Sequence, residues 1–229
     1  MTHTMGRVSG ALTSGPLLED GPGLLVMDVD STLIEQEVIE LLAERAGTRE
    51  RVAAVTARAM RGELDFAASL RERVATLAGV PVSVFAEVLA EIRLTPGAVE
   101  LIDALHGRSC RVGVVSGGFE EVVVPLAERL GIDHIAANRL ECSHGALTGK
   151  VRGRIVDRQV KERCLRAWAR ANGVPMDRTI AVGDGANDLD MIGAAGLGVA
   201  FCAKPLVTAR APAAVHVRDL RAVLELIGG

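Results

Sequence analysis

Two aspartates at the end of an apolar run carry the clearest chemical signal in the sequence. In "LLVMDVDSTL", which begins at Leu24, four apolar residues lead directly into Asp28, and Asp30 follows after one valine. Two carboxylates this close repel each other and resist burial, so a cation or polar partners must offset their charge. The pair therefore predicts a site whose chemistry involves a cation, a proton transfer or both.

A second acidic motif, "GDGAND", follows a later apolar run and contains Asp184 and Asp188. If both runs are parallel strands, their carboxyl ends lie at one edge of a sheet, where ligands bind. Four carboxylates gathered there could not all stay ionised without a cation. This all-oxygen set suits Mg²⁺, whereas zinc prefers histidine or cysteine, and neither adjoins these motifs. We therefore predict a magnesium site formed by Asp28, Asp30, Asp184 and Asp188.

Ser116 follows a third apolar run and has two candidate roles. A serine nucleophile in a G-x-S-x-G motif requires glycine at position 114, where the sequence has Val114, so a serine hydrolase is disfavoured. The following Gly117 and Gly118 instead predict a phosphate-binding turn, because their backbone amides can approach an anion closely. Lys161, near the start of a predicted helix, would supply the fixed positive charge that phosphoryl transfer needs.

These groups together predict phosphoryl transfer to Asp28. A carboxylate becomes a good nucleophile toward phosphorus when a metal and Lys161 withdraw charge from the phosphoryl oxygens, and an aspartyl-phosphate results. Asp30 points to the same side of an extended segment, so it can protonate the leaving oxygen and later take a proton from the attacking water. No nucleotide is implied, since "GDGAND" lacks the third glycine of a dinucleotide fingerprint and no P-loop motif occurs.

Short apolar runs alternate with stretches of helical periodicity over most of the chain. The predicted strands are "GLLVMD", "CRVGVVS", "DHIAA", "TIAVGD", "LGVAF" and "AAVHV". The predicted helices cover residues 97–107, 118–130, 157–172, 186–194 and 218–227. This alternation is typical of an α/β fold with a mostly parallel sheet and helices on both faces. The stretch from Asn138 to Val156 predicts one or two hairpin strands.

Residues 35–94 interrupt the alternation, because they show helical periodicity without a convincing strand. We predict that they form an all-helical insertion. Residues 23–34 and 95–229 would then form the catalytic core. Residues 1–22, rich in Gly, Ser, Thr and Pro, are predicted to be a loose tail.

The composition excludes several classes of protein. The net charge of −3, from 26 Lys and Arg against 29 Asp and Glu, gives no electrostatic case for nucleic acid or an anionic membrane as partner. The four cysteines show no CxxC pair and no zinc-like spacing, which favours free thiols in a reducing cytoplasm. No apolar run reaches membrane-spanning length, and the N-terminal residues lack the apolar segment of a secretory signal.

The order of the motifs resembles that of the haloacid dehalogenase superfamily along nearly the whole chain after residue 23. Its four motifs correspond to "DVDST", "VVSGG", Lys161 and "GDGAND". Further stretches, among them "DVDSTLIEQE", "LDFAASLRERV", "ANRL", "LTG" and "AFCAKP", resemble the phosphoserine phosphatase family within it. The resemblance implies a Rossmann-like core with a four-helix cap inserted after the first strand. It also implies hydrolysis of O-phospho-L-serine, the last step of L-serine biosynthesis.

The same resemblance implies roles for residues of the core. Asp28 would be the nucleophile and Asp30 the acid and base. Magnesium would be held by Asp28, Asp184 and the backbone carbonyl of Asp30. The residues implied around the phosphate are Ser116, Gly117, Lys161 and Asn187.

Three residues of the insertion are implied to contact the rest of the substrate. Glu37 would bind the ammonium and Arg73 the carboxylate, and a guanidinium matches a carboxylate in charge and geometry. By charge pattern alone, both would be ordinary solvated residues of a helix surface. Phe66 would help to close the site over the substrate.

Three alternatives remain at this point. The phosphoryl group could pass to another hydroxyl acceptor, such as homoserine, or the substrate could be another small phosphorylated metabolite. A third possibility is a signalling receiver that keeps its aspartyl-phosphate, but Asp30 and the long helical insertion disfavour it. Monomer and homodimer are both compatible with the sequence.

Overall fold

The computed structural model describes residues 6–228 as an eight-stranded sheet with helices. The strands are β1 (Val8–Ser9), β2 (Leu24–Met27), β3 (Arg111–Phe119), β4 (His134–Ser143), β5 (Ala146–Arg152), β6 (Thr179–Gly183), β7 (Leu197–Phe201) and β8 (Ala213–Val215). The α-helices are α1 (Pro16–Glu19), α2 (Val38–Arg45), α3 (Arg49–Met60), α4 (Phe66–Ala75), α5 (Val84–Glu91), α6 (Ala98–Gly107), α7 (Glu120–Arg129), α8 (Arg158–Ala171), α9 (Leu189–Ala194), α10 (Pro205–Thr208) and α11 (Ala222–Glu225).

The sheet has the strand order β1-β8-β7-β6-β2-β3-β4-β5. Its six inner strands are parallel, and the two edge strands β1 and β5 are antiparallel to their neighbours. All four residues of β2 are buried, as expected for a central strand covered on both faces. The predicted α/β class is confirmed, and each of the six predicted strands is present.

Helices α2 to α5 occupy the segment between the first two parallel strands, β2 and β3. Helix α2 buries Val38, Ile39 and Leu42 in the core, while α4 buries Leu70 and Val74. The insertion is therefore anchored by apolar faces at helical spacing. Among the helices of residues 6–228, none is long and apolar enough for a membrane crossing.

The second half of β4 forms the predicted hairpin with β5. Its turn is His144–Gly145, where both residues have the positive φ of a type I′ turn. The hairpin also pairs with the insertion, because the Gly79 N–H donates to the Leu147 carbonyl at 2.8 Å and the Leu147 N–H donates to the Val80 carbonyl at 2.8 Å. The two chain segments are thus joined by backbone hydrogen bonds.

The described part of the predicted tail, residues 6–22, differs from the expectation of a loose segment. Strand β1 pairs with β8, and the Leu12 N–H donates to the Leu226 carbonyl at 2.9 Å. Leu17 of α1 is buried in the core. A few apolar residues and a free sheet edge therefore order a segment whose composition favours turns. Residues 1–5 lie outside the described residues.

Candidate active site

The acidic motifs lie at the carboxyl ends of neighbouring strands. Strands β2 and β6 are paired in parallel with Met27 opposite Val182, so Asp28 and Asp184 follow adjacent strand ends. The Asp28 N–H donates to the Val182 carbonyl at 3.0 Å. On the other side of β2, Met27 is opposite Val114 of β3, which leads into the Ser116 turn. The sheet register alone therefore brings the three motifs together.

Three carboxylates form a compact group at this edge. One oxygen each from Asp28, Asp184 and Asp188 lies within 4.8 Å of the others. Burial and the charge of Asp188 raise the pKa of Asp28 well above its usual value, and they raise that of Asp184 to about 6. Carboxylates that resist ionisation together and offer only oxygen donors fit a hard divalent cation. The group can therefore hold a metal ion.

Lys161 is fully buried beneath this group. Its ammonium donates to Asp188 Oδ1 at 2.6 Å and lies 2.8 Å from Asp28 Oδ1. The second oxygen of Asp188 accepts the Gly185 N–H at 3.0 Å. Burial disfavours the charged ammonium, but Asp188 and Asp28 outweigh that cost and raise the pKa of Lys161. Lys161 therefore stays protonated and fixes the orientation of Asp28.

The Asp28 carboxylate is held from the backbone as well. Its Oδ1 accepts the Val29 N–H at 2.8 Å, and the residue is only 4% exposed. Two donors on one oxygen hold the carboxylate in one orientation at the floor of the site. A carboxylate fixed in this way has little orientational entropy left to lose when it reacts.

Asp30 lies near Asp28 but has different hydrogen-bond partners. Its Oδ1 accepts the Val38 N–H at 3.2 Å, at the start of α2. Burial first, and then the charge of Glu37, raise the pKa of Asp30 to about 7. Ser31 next to it has φ +57°, an unusual conformation for a non-glycine residue, which turns the chain from β2 toward the insertion. Asp30 can thus exchange protons near neutral pH.

The Ser116 turn fits tightly against Asp30. The buried Ser116 hydroxyl accepts the Gly118 N–H at 2.8 Å, while its own hydrogen remains available to a ligand. A Cβ on Gly118 would lie 2.9 Å from Asp30 Oδ2, and one on Gly117 would lie 3.0 Å from the Phe66 ring. Glycine is required here because side chains press on the turn from two sides. The helix predicted from residue 118 begins two residues later, since β3 continues through this turn.

The insertion supplies the opposite wall. Glu37, just before α2, accepts the Ser31 hydroxyl at 2.7 Å. Arg73 on α4 donates from Nε to the Ser69 carbonyl at 3.3 Å. Burial lowers the pKa of Arg73, while Glu37 and Asp30 oppose this effect. An acid and a guanidinium of the insertion therefore line the same cavity as the carboxylates of the sheet edge.

A cavity of about 140 Å³ separates the two walls. The predicted residues that line it are Asp28, Asp30, Glu37, Phe66, Arg73, Gly117, Asp184 and Asn187. The other three predicted residues, Ser116, Lys161 and Asp188, are buried. The structure thus brings all the sequence-predicted positions into one region.

Two polar side chains of this region have no role in the sequence predictions. Ser31 holds Glu37, and Lys204 lines the cavity mouth. Ser31 adjoins Asp30, but its bond to Glu37 depends on a positive φ that the sequence does not reveal. Lys204 belongs to "AFCAKP", a stretch that supported the family resemblance without a role for the lysine.

This fold and site define a hydrolase class. The haloacid dehalogenase-like hydrolase family matches residues 25–192, and the chain belongs to that family. It is 56% identical to a phosphoserine phosphatase of Streptococcus thermophilus over 90% of this chain and 95% of that protein. It is 60% identical to a phosphoserine phosphatase of Streptomyces coelicolor, again over 90% of this chain, but it spans only 50% of that longer protein.

Solved structures give the same picture. A phospho-aspartyl intermediate analogue of phosphoserine phosphatase aligns with a TM-score of 0.85 and 42% identity, over 90% of this chain and 99% of that one. A substrate-bound phosphoserine phosphatase complex aligns with a TM-score of 0.85 and 41% identity, over 90% and 98% of the two chains.

Proposed function

We propose that the chain is a phosphoserine phosphatase that hydrolyses O-phospho-L-serine to L-serine and phosphate with the help of Mg²⁺. One observation carries the proposal. A buried Asp28–Lys161 pair opens into a small cavity whose opposite wall presents Glu37 and Arg73. The similarity to phosphoserine phosphatases over nearly the full length of the Streptococcus thermophilus protein supports this substrate.

The first step is attack of an Asp28 carboxylate oxygen on phosphorus. The bond between Asp28 and phosphorus forms while the bond from phosphorus to the serine oxygen breaks. Lys161 and the amides of the Ser116 turn stabilise the negative charge that develops on the phosphoryl oxygens. Asp30 donates its proton to the departing serine oxygen.

The second step hydrolyses the aspartyl-phosphate. Asp30, now ionised, takes a proton from a water molecule that attacks phosphorus, and the Asp28 carboxylate leaves. The pKa of about 7 suits Asp30 to both roles, because neither protonation state is costly near neutral pH. The enzyme returns to its starting state with Asp30 protonated.

Asp28 and Asp184, with the backbone carbonyl of Asp30, would hold Mg²⁺. The oxygen-only donor set supports this choice over zinc. When bound, the ion supplies positive charge that offsets the carboxylates and polarises the phosphoryl group. Asp188, whose two oxygens accept hydrogen bonds from Lys161 and Gly185, fits a positioning role better than direct ligation.

The insertion selects the substrate by charge. Glu37 pairs with the ammonium of phosphoserine and Arg73 with its carboxylate. We propose that residues 35–94 act as a cap whose Phe66 covers the substrate and excludes bulk water during the first step. The Phe66 ring lies against the phosphate-binding turn, because a Cβ on Gly117 would be only 3.0 Å from it. This position supports the closing role of Phe66.

The proposal also includes three properties of the protein. We propose that it is located in the cytoplasm, that it catalyses the last step of L-serine biosynthesis, and that it is a monomer or a homodimer. Four cysteines without disulfides support a reducing compartment.

Release of phosphate from a substrate panel tests the proposal. With Mg²⁺ we expect phosphoserine to be preferred over phosphoethanolamine, which lacks the carboxylate, and over phosphoglycolate, which lacks the ammonium. EDTA should abolish turnover. Formation of O-phosphohomoserine and serine without free phosphate, seen only when homoserine is added, would instead support a phosphotransferase, and no turnover of phosphoserine under any condition would overturn the proposal.

A further inference from the structure

A second cavity adjoins the catalytic one on the solvent side, and we call it the outer groove. It lies between the end of α3 with Leu64 on one side and the start of α8 with Lys204 on the other. Phe66, Arg73, Asn187 and Lys204 line both cavities. The outer groove is therefore continuous with the catalytic cavity.

The two cavities differ in charge. The catalytic cavity is lined by four carboxylates, Asp28, Asp30, Glu37 and Asp184, and by two cations, Arg73 and Lys204. The lining residues described for the outer groove include three cations and no carboxylate. These cations are Arg73, Arg158 and Lys204. An anion that moves inward thus passes a positive entrance before it meets a carboxylate-rich floor.

Lys204 occupies the junction between these environments. Its backbone N–H donates to the Asp184 carbonyl at 3.3 Å, which fixes the start of α10 beside the metal-binding edge. Its side chain is exposed, whereas Lys161 is buried between two carboxylates. Arg158 is held nearby by an ion pair with Asp190. Lys204 is therefore the more accessible of the two lysines to an arriving anion.

We propose that the outer groove is the entrance for the phosphorylated substrate and that Lys204, assisted by Arg158, guides the phosphate group toward Asp28. This inference rests on the proposed function. Charges of one sign around a cleft raise the local concentration of an oppositely charged ligand and speed its arrival, and salt weakens the effect. Lys204 acts on capture of the substrate and not on the chemical steps.

The test compares Lys204→Gln with Lys150→Gln, which removes the same charge from an exposed position on β5 outside the groove. At low ionic strength we expect Lys204→Gln to lower kcat/KM for phosphoserine about 3- to 10-fold through KM, with kcat unchanged. The deficit should shrink as salt approaches about 0.5 M, where charges are screened within a few ångströms. Lys204→Arg should keep the wild-type value, and Arg158→Gln should show a smaller loss in the same direction.

A Lys204→Gln enzyme with wild-type kcat/KM at low salt would overturn the inference about Lys204 but would leave the proposed function intact. A loss that persists at high salt, or an equal loss in Lys150→Gln, would do the same, because neither result reflects guidance by the groove. A wild-type protein that does not hydrolyse phosphoserine would overturn the proposed function as well.

Discussion

The sheet edge and the helical insertion build opposite walls of one cavity in different ways. At the sheet edge, Asp28, Lys161 and Asp188 are at most 4% exposed and are bonded to one another and to the backbone. On the insertion, Glu37 and Arg73 are half-buried, with single side-chain bonds to Ser31 and to the Ser69 carbonyl. The rigid wall suits bond-breaking chemistry, and the less constrained wall suits recognition and release.

The largest loss of activity is expected from a substitution at the sheet edge. Lys161→Met leaves Asp28 and Asp188 buried without their cation, so phosphoryl charge is no longer stabilised and kcat for phosphoserine should fall about 10³-fold. Removing one partner of a buried ion pair also destabilises a protein by about 3 kcal/mol or more. Steady-state kinetics and urea unfolding measure the two effects.

Lys150→Met, at an exposed position, is the control for this variant and should match the wild type in both measurements. A folded Lys161→Met protein with kcat within a few-fold of the wild type would show that the buried lysine has only a structural role.

An intermediate effect is expected from the insertion. Arg73→Lys keeps the charge but loses the planar fork that pairs with a carboxylate. A lost charge-assisted hydrogen bond of about 1.5–3 kcal/mol corresponds to a fall of about 10- to 100-fold in kcat/KM for phosphoserine. The kcat/KM for phosphoethanolamine, which has no carboxylate, should change less than about 2-fold on the same reasoning.

Arg71→Lys, two residues away on the exposed side of α4, is the matched control and should leave both substrates unaffected. Equal losses of Arg73→Lys on both substrates would argue against carboxylate recognition by Arg73.

The smallest effect concerns stability. In the metal-free protein the pKa of Asp184 is raised to about 6 and that of Asp28 is also raised. The folded state therefore holds protons that the unfolded state has released, and these groups lower stability as pH rises from about 4 through 6. A metal ion binds the ionised carboxylates, so Mg²⁺ should stabilise more at higher pH.

Thermal unfolding with and without Mg²⁺ measures this difference. We expect the Tm to rise by about 5 °C at about pH 7.5 and by less than half of that at about pH 5. Asp184→Asn should remove most of the shift at the higher pH. A shift of equal size at both pH values would contradict a site made of these carboxylates.

The two walls also differ in how far the sequence predicts them. Apolar runs that end in Asp28, Ser116 and Asp184 predict the sheet edge, because parallel strands bring their carboxyl ends together. The paired state of Lys161 was not predictable in this way, since it depends on how α8 packs beneath the edge. Glu37 and Arg73 look like surface charges in the sequence, and only the family resemblance singled them out. Tertiary packing places these side chains at the site, and the local sequence pattern does not show how the helices pack.

The regular structure of residues 6–22 is a second feature that the local sequence does not predict. Their composition favours turns, but pairing of β1 with β8 depends on a sheet edge formed by residues near the other end of the chain. The local sequence of residues 6–22 does not indicate that a strand so distant in the chain will pair with it.

Trapping the covalent intermediate tests the central claim most directly. The protein is mixed with phosphoserine and Mg²⁺, quenched in acid within the first turnover, digested and analysed by mass spectrometry. We expect one phosphoryl group on the peptide that contains Asp28 and none in Asp28→Asn, which should also lack turnover. Full turnover by Asp28→Asn, or a phosphoryl group on a different residue, would contradict the account.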